Sequence, residues 1–174
     1  PGHHFHLAPQ AENASPPQTR RQSPDISVFN EGWAEYASGP AGEMGLYDDP
    51  YDAYGRLVHE RFTAQRPVVD TGLNAPGWSL ERAREYMQRH TLESPAQVAT
   101  ETLRYSTDLP GQALAYRVGY LQFMEIRESM RTALGPRFDL RDFHEAVLAE
   151  GALPLPVLRR HVERTAERLA SGSA

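Results

Sequence analysis

The sequence predicts an all-α fold of about seven helices, and three observations lead there. Apolar residues recur at spacings of three to four in one segment after another. No segment alternates with period two, and Val and Ile are too few to build a buried sheet. Pro, Ser and Asp stand repeatedly where helices open, with Gly and Pro where they close.

The elements follow in order. From Pro9 to Pro24 the chain is rich in Pro, Gln, Ser and Arg without apolar periodicity, so residues 9–24 read as a flexible loop ahead of a helical domain over 25–174. The first helix starts near Asp25, carries Val28, Phe29, Trp33 and Tyr36, and is expected to stop at Gly39-Pro40. Asp49-Pro50 opens the second, with Tyr51, Tyr54, Leu57, Val58 and Phe62 expected on its apolar face and a bend near Pro67. Residues 70–78 hold two glycines and a proline and read as a structured turn. Ser79 caps a helix with Leu80, Ala83 and Met87, and Ser94 with Pro95 starts another through Val98 and Leu103. After a break at Pro110-Gly111, Leu114, Val118, Leu121 and Met124 mark the face of a long helix to Gly135. Asp139 and Asp142 open the next, with Phe143, Val147 and Leu148, and the last runs from about Pro154 to Leu169.

Composition limits the function. At 174 residues with 40% hydrophobic residues, the chain can bury a core, and its net charge of -5 is spread over many segments. That gives no electrostatic footprint for nucleic acid. There is no run of about 18 apolar residues, so this chain is expected to carry no membrane span. It has no cysteine, so a metal would be held by His, Asp or Glu. The chain opens at Pro1 rather than Met, which reads as a cut with an N-terminal region missing; a signal peptide would lie in that region, and the compartment is not set by the residues here.

Two groups of residues can carry metal chemistry. His3, His4 and His6 supply imidazoles that bind zinc when neutral, and Glu31 and Glu35, four apart, share one helix face. One carboxylate can then reach a metal while the other accepts the remaining N–H of a ligating imidazole. Taken singly, clustered histidines near a terminus are more often a solvated stretch, and a Glu pair is more often a solvent-facing stripe. Elsewhere, Tyr116 can donate to a developing oxyanion or pack in the core, and Arg56 can clamp a substrate carboxylate or form a surface ion pair. Asp70 and Gln112 are further polar candidates. His144 reads as a packing residue, and Trp33 and Trp78 as packing anchors.

The order of short motifs resembles the bacterial domain of unknown function 885 family. The matching elements are Pro1-Gly2-His3-His4, Glu31 to Ala34, Gly45-Leu46-Tyr47, Asp49-Pro50-Tyr51 and Tyr54 to Leu57. Val69 to Gly72, Gly77-Trp78, Arg104-Tyr105, Pro110 to Ala113, Ala115-Tyr116, Phe138 to Arg141 and Gly151 to Pro154 continue the order. Members look like zinc peptidases with two His ligands and one Glu, in which His-Glu and two variable residues precede Pro-Gly-His-His. The resemblance implies that residues 1–8 are the remnant of a metal-binding helix. It further implies that His3 or His4 is the second histidine ligand of a Zn2+ ion, Glu31 the carboxylate ligand and Glu35 the residue orienting a ligating imidazole. The first histidine and the glutamate base would precede Pro1, so the chain alone is expected to bind zinc weakly and hydrolyse nothing.

In this resemblance the substrate is a peptide or related amide, Tyr116 and Asn74 are candidate catalytic donors, and Arg56 and Gln112 are candidate substrate-binding residues. Two positions depart from the family pattern: His6 stands where glutamine is expected, and Asn74 stands where many relatives have histidine. A second reading is a non-catalytic helical module that holds peptides beside a degenerate metal site. A third is a structural metal tying the N-terminal loop to the first helix.

Overall fold

The computed structural model describes residues 26–172, and among them there are seven α-helices and no strand, as expected from the sequence. They are α1 (Ser27–Glu43), α2 (Pro50–Asn74), α3 (Leu80–His90), α4 (Pro95–Leu103), α5 (Leu114–Leu134), α6 (Leu140–Leu148) and α7 (Leu155–Ser171). A π-helical turn, Arg104–Asp108, follows α4, and a 3-10 turn, Gly135–Arg137, follows α5. The expected remnant 1–8 and loop 9–24 lie outside the described residues. The chain divides into two compact units, Ser38–Arg117 and the flanking segments Pro1–Ala37 with Val118–Ala174. Their boundaries fall within α1 and α5.

In the central unit, start signals act as expected. Asp49 Oδ1 accepts from the Tyr51 N–H with Pro50 in the first turn of α2, Ser79 Oγ accepts from Arg82, and Ser94 Oγ accepts from Gln97. Stop signals were less faithful. α1 passes through Gly39-Pro40 because proline removes only one donor: the Pro40 carbonyl still accepts from Met44 N at 2.9 Å. The helix ends where Gly45 takes a φ of 74°, a left-handed conformation that glycine adopts without strain. α2 likewise continues through Pro67 to Asn74, absorbing half of the expected 70–78 turn. The chain then folds back so that Trp78 N donates to Gly72 O at 2.8 Å. A Cβ on Gly72 would lie 2.6 Å from the indole, so glycine is required for that contact. The core of this unit is Val69, Ala83, Met87, Val98, Tyr105 and Ala113.

In the flanking unit, Phe29, Trp33 and Tyr36 of α1 pack with Phe123, Ile126 and Met130 of α5, Phe143 and Val147 of α6, and Leu158 and Val162 of α7. Asp139 caps α6 through Arg141 N at 2.8 Å. The inward face of α5 is nearly opposite the expected stripe: Gly119, Phe123, Ile126 and Met130 are buried, while Val118, Leu121 and Met124 are exposed. The cause is a close backbone approach. A Cβ on Gly119 would sit 2.2 Å from the Val28 carbonyl oxygen and 2.5 Å from Gly32 Cα. Glycine on both helices lets them meet there, and an apolarity pattern does not register glycine as a core residue.

Candidate functional site

α2 of the central unit buries a polar face. At about 100° per residue, Arg56, Glu60, Thr63, Arg66, Asp70 and Asn74 fall within an arc of about 120°. Of these Thr63, Arg66 and Asp70 are buried, and Arg56 and Glu60 are half-buried. The apolar face expected from the sequence is instead largely outside, with Tyr51 83%, Tyr54 57% and Leu57 62% exposed. Inward polar groups are costly unless each finds a partner, so their hydrogen bonds describe the site.

Asp70, 1% exposed, holds the turn that leads into α5. Its carboxylate accepts from the Gly111 N–H at 2.8 Å and 3.0 Å, from the Ala113 N–H at 3.2 Å and from Asn74 Nδ2 at 3.0 Å. Gly111 takes a φ of 85°, which bends the backbone so that its N–H and that of Ala113 converge on one carboxylate. Asn74 Nδ2 also donates to the carbonyls of Asp70 and Tyr105, both at 3.0 Å. Its two amide hydrogens are therefore spent within the fold. Gln112 lies between the two anchored amides, and Tyr116 follows one turn later.

Arg66 joins this anchor to the π-helical turn. Leu109 N donates to Arg104 O at 3.0 Å across that wide turn, and Tyr105 points inward from it. Arg66 Nε donates to the Tyr105 hydroxyl at 2.9 Å, the hydroxyl donates to Glu101, and Arg66 Nη2 lies 3.7 Å from Glu101 Oε2. The guanidinium lies over the Tyr116 ring at 4.0 Å from its centroid. Burial pushes the Tyr105 hydroxyl pKa well above the ordinary tyrosine value; Arg66 opposes that shift and Glu101 adds to it. Burial works against the Arg66 charge, but the hydroxyls of Tyr105 and Tyr116 outweigh it, and the Arg66 pKa is raised. The Arg66 guanidinium and the Tyr105 phenol thus both keep their protons.

At the N-terminal end of the same face the polar groups are less completely matched. Arg117 Nη1 donates to Glu60 Oε1 at 3.2 Å, while Arg56 Nη1 lies 4.0 Å from Glu60 Oε2, beyond hydrogen-bond reach. Arg56 Nη1 is buried and has no hydrogen-bond acceptor among the described residues. Leaving a buried donor unmade costs about 1–3 kcal/mol.

The flanking unit holds the carboxylates of the expected metal site. Glu31 and Glu35 lie one turn apart on α1, Glu31 half-buried and Glu35 buried. Nearby, the Tyr36 hydroxyl and His144 Nε2 are 2.9 Å apart, and the Trp33 and His144 rings meet edge to face at 5.4 Å between centroids. His144 is a satisfied packing residue, as the sequence suggested. His3 and His4 lie outside the described residues, and among the described residues there is no group of three His, Cys, Asp or Glu that could hold a metal.

Within the central unit Asn74, Gln112 and Tyr116 lie about Asp70 and Arg66 towards the C-terminal end of α2, while Arg56 stands beside Glu60 near its N-terminal end, about 27 Å along the helix from Asn74. Sequence reasoning missed Glu60, Arg66 and Glu101. The signal was present as a polar stripe along α2 and as Glu101, Arg104 and Tyr105 at helical spacing, but charged residues at helical spacing are usually solvated faces. Over residues 1–162 the chain matches the family described as "Bacterial protein of unknown function (DUF885)". A solved structure, "the putative lipoprotein from Colwellia psychrerythraea", is similar at 41% identity with a TM-score of 0.91. The match covers 97% of this chain and 28% of that one, so the chain spans little more than a quarter of that protein's length. No curated protein matches the chain.

Proposed function

Because the chain belongs to this bacterial family of unknown function, we propose that the whole protein is a zinc-dependent, peptidase-like hydrolase acting on a peptide or related amide bond. The observation that carries the reading is the Glu31 and Glu35 pair on α1, with Glu35 buried. A buried carboxylate one turn behind a second carboxylate suits an orienting group behind a metal ligand. Carboxylate and imidazole donors suit zinc, and in this reading Glu31 would be the carboxylate of such a set. In this reading Glu31 and His3 or His4 would hold the ion, and Glu35 would fix the tautomer of a ligating imidazole. Bound zinc would polarise the scissile carbonyl and acidify a water molecule.

The central unit carries the other candidate residues of this reading. We assign Tyr116 as the donor to the developing oxyanion, because Arg66 beneath its ring and the Asp70-anchored turn before it hold it in place. Asn74 serves that anchor, since Asp70 and Tyr105 already take its amide hydrogens. Arg56 and Gln112 face substrate. The same commitment of Asn74, which leaves it no amide hydrogen for an oxyanion, favours a second reading, a peptide-binding module whose metal site has decayed.

Zinc content of the whole protein, purified metal-replete, separates the two. The hydrolase reading expects close to one zinc per chain in the wild type and less than about a tenth of that in Glu31→Gln, with turnover lost. A zinc-free wild type, or a variant that keeps its zinc, refutes it. Unchanged peptide affinity in Glu31→Gln beside a zinc-free wild type supports the binding module.

A further inference from the structure

We infer that the outward ridge at the start of α2 is an interface within the whole protein, covered by an apolar segment with a basic flank from polypeptide outside residues 1–174. The ridge lies wholly in the central unit. Tyr51, Tyr54 and Leu57 stand three residues apart, so each follows the last around the helix by about 60° and the three run along one side of it. All three are exposed, and so are Met44 at 68% and Leu46 at 63% in the link that leads into them. Every residue from Asp48 to Gly55 is exposed, so about the first turn and a half of α2 stands clear of the described fold on all sides. A helix draws most of its stability in a protein from packing an apolar face, and the described residues leave this one open. Single apolar residues on a surface are ordinary, but five large ones between positions 44 and 57 make a patch.

Length and charge define what covers it. The match with the related solved structure takes up 28% of that chain, so a whole protein of that length carries ample further polypeptide to pack on the ridge. The rim of the ridge is acidic. Asp49 is spent on the helix start, accepting from Tyr51 N at 2.8 Å, but Asp48 and Asp52 are exposed and hold no ion pair among the described residues. Arg61, one turn beyond Leu57, gives its Nε to the His90 carbonyl at 2.7 Å. An anionic lipid surface would face the two free acids, and a second copy turned about a two-fold axis would bring the same acids together. A basic flank beside an apolar segment answers both features of the ridge, and a segment tethered in the same polypeptide meets it at high effective concentration.

The test labels the whole protein. Tetranitromethane nitrates exposed tyrosines, and mass spectrometry reads the rates at Tyr51 and Tyr54 in the folded and the urea-unfolded protein, with buried Tyr105 as the protected standard. A covered ridge expects folding to slow nitration at both positions about 10-fold or more, equally at every protein concentration from about 0.1 to 50 µM. Nitration as fast as in the unfolded chain, or protection that is lost on dilution, overturns the inference. Photocrosslinking from Tyr54→p-benzoylphenylalanine then locates the cover. A product of monomer mass joined to a peptide outside residues 1–174 is expected; no product, or one confined to residues 1–174, refutes it, and a product of dimer mass assigns the ridge to a second copy instead. Asp48→Asn combined with Asp52→Asn tests the flank: the folded-to-unfolded rate ratio at Tyr51 should rise about threefold at low salt, and an unchanged ratio rules out a basic partner. The nitration arm uses the unaltered protein, so it stays decisive if a variant fails to fold. None of these readouts involves zinc or turnover, so they stand apart from the hydrolase reading.

Discussion

Replacing Asp70 by Asn tests whether the turn before α5 is held by one carboxylate. The change keeps shape and removes charge. Three donors converge on the native side chain: the Gly111 N–H on both oxygens, the Ala113 N–H on Oδ2 and Asn74 Nδ2 on Oδ1. In Asp70→Asn one oxygen becomes an NH2. If it replaces Oδ2 it confronts Gly111 and Ala113; if it replaces Oδ1 it confronts Gly111 and Asn74. Either rotamer sets the new amide against two donors at a position only 1% exposed. At about 1–3 kcal/mol for each buried donor left unmade, the loss is about 2–5 kcal/mol of unfolding free energy. For a chain of this size that lowers the melting temperature by about 5–15 °C. Asn74→Ala removes one donor and leaves Asp70 with its two backbone partners, so its loss is smaller, about 1 kcal/mol. Urea denaturation of the wild type and both variants measures the difference. An Asp70→Asn protein within about 0.5 kcal/mol of wild type, or one more stable than Asn74→Ala, refutes the anchoring argument.

Two further predictions concern packing and pH. Gly119→Ala drives a methyl to 2.2 Å from the Val28 carbonyl oxygen, a contact with backbone that no rotamer relieves, and is expected to cost about 3 kcal/mol or more in the same denaturation experiment. Surface alanines on α5 serve as controls. The Tyr105 hydroxyl titrates above its unfolded value of 10.0, so its contribution to stability is complete below about pH 10 and is lost as pH rises above that value. Ultraviolet titration of the folded protein should show the Tyr105 tyrosinate appearing only with unfolding. Tyr105→Phe should then leave the pre-unfolding absorbance change unaltered, and a reduced change shows that Tyr105 ionises with the exposed tyrosines.

The all-α class and most helix starts were legible because they depend on local chemistry. Asp49, Ser79, Ser94 and Asp139 each place a side-chain oxygen where the first free N–H groups of a helix need an acceptor, whatever surrounds them. Helix ends and faces depend on tertiary contact and were less legible. Pro40 and Pro67 read as breaks, but each removes only one donor from a helix held by packing. On α5 the Val118, Leu121 and Met124 stripe reads as a core face, but the Gly32 and Gly119 contact puts the nearly opposite face inward. The site divides in the same way. Arg56, Gln112 and Tyr116 are candidates by residue type and motif order alone. Arg66 and Glu101 are not, because what singles them out is their burial against Tyr105, and sequence does not report that a charged side chain faces inward.

That inward polar face is the strongest reason to regard the central unit as more than a support. A helix selected for stability alone would turn Tyr51, Tyr54 and Leu57 inward and its arginines outward. α2 does the reverse, and burying the Arg66 and Glu101 charges brings little net stability even when they are well paired. The arrangement does give fixed geometry. Arg66 cannot leave Tyr105 without uncovering Glu101, and Asp70 cannot release Gly111 without freeing the start of α5. Tyr116 lies between these two anchors, its ring over the Arg66 guanidinium and its helix begun by the Asp70 turn. Two polar anchors converging on one phenol suit a group whose position matters to within a few tenths of an ångström, as oxyanion stabilisation requires. Arg56, further along the same face, keeps a buried donor with no acceptor among the described residues, as Arg84 does on α3.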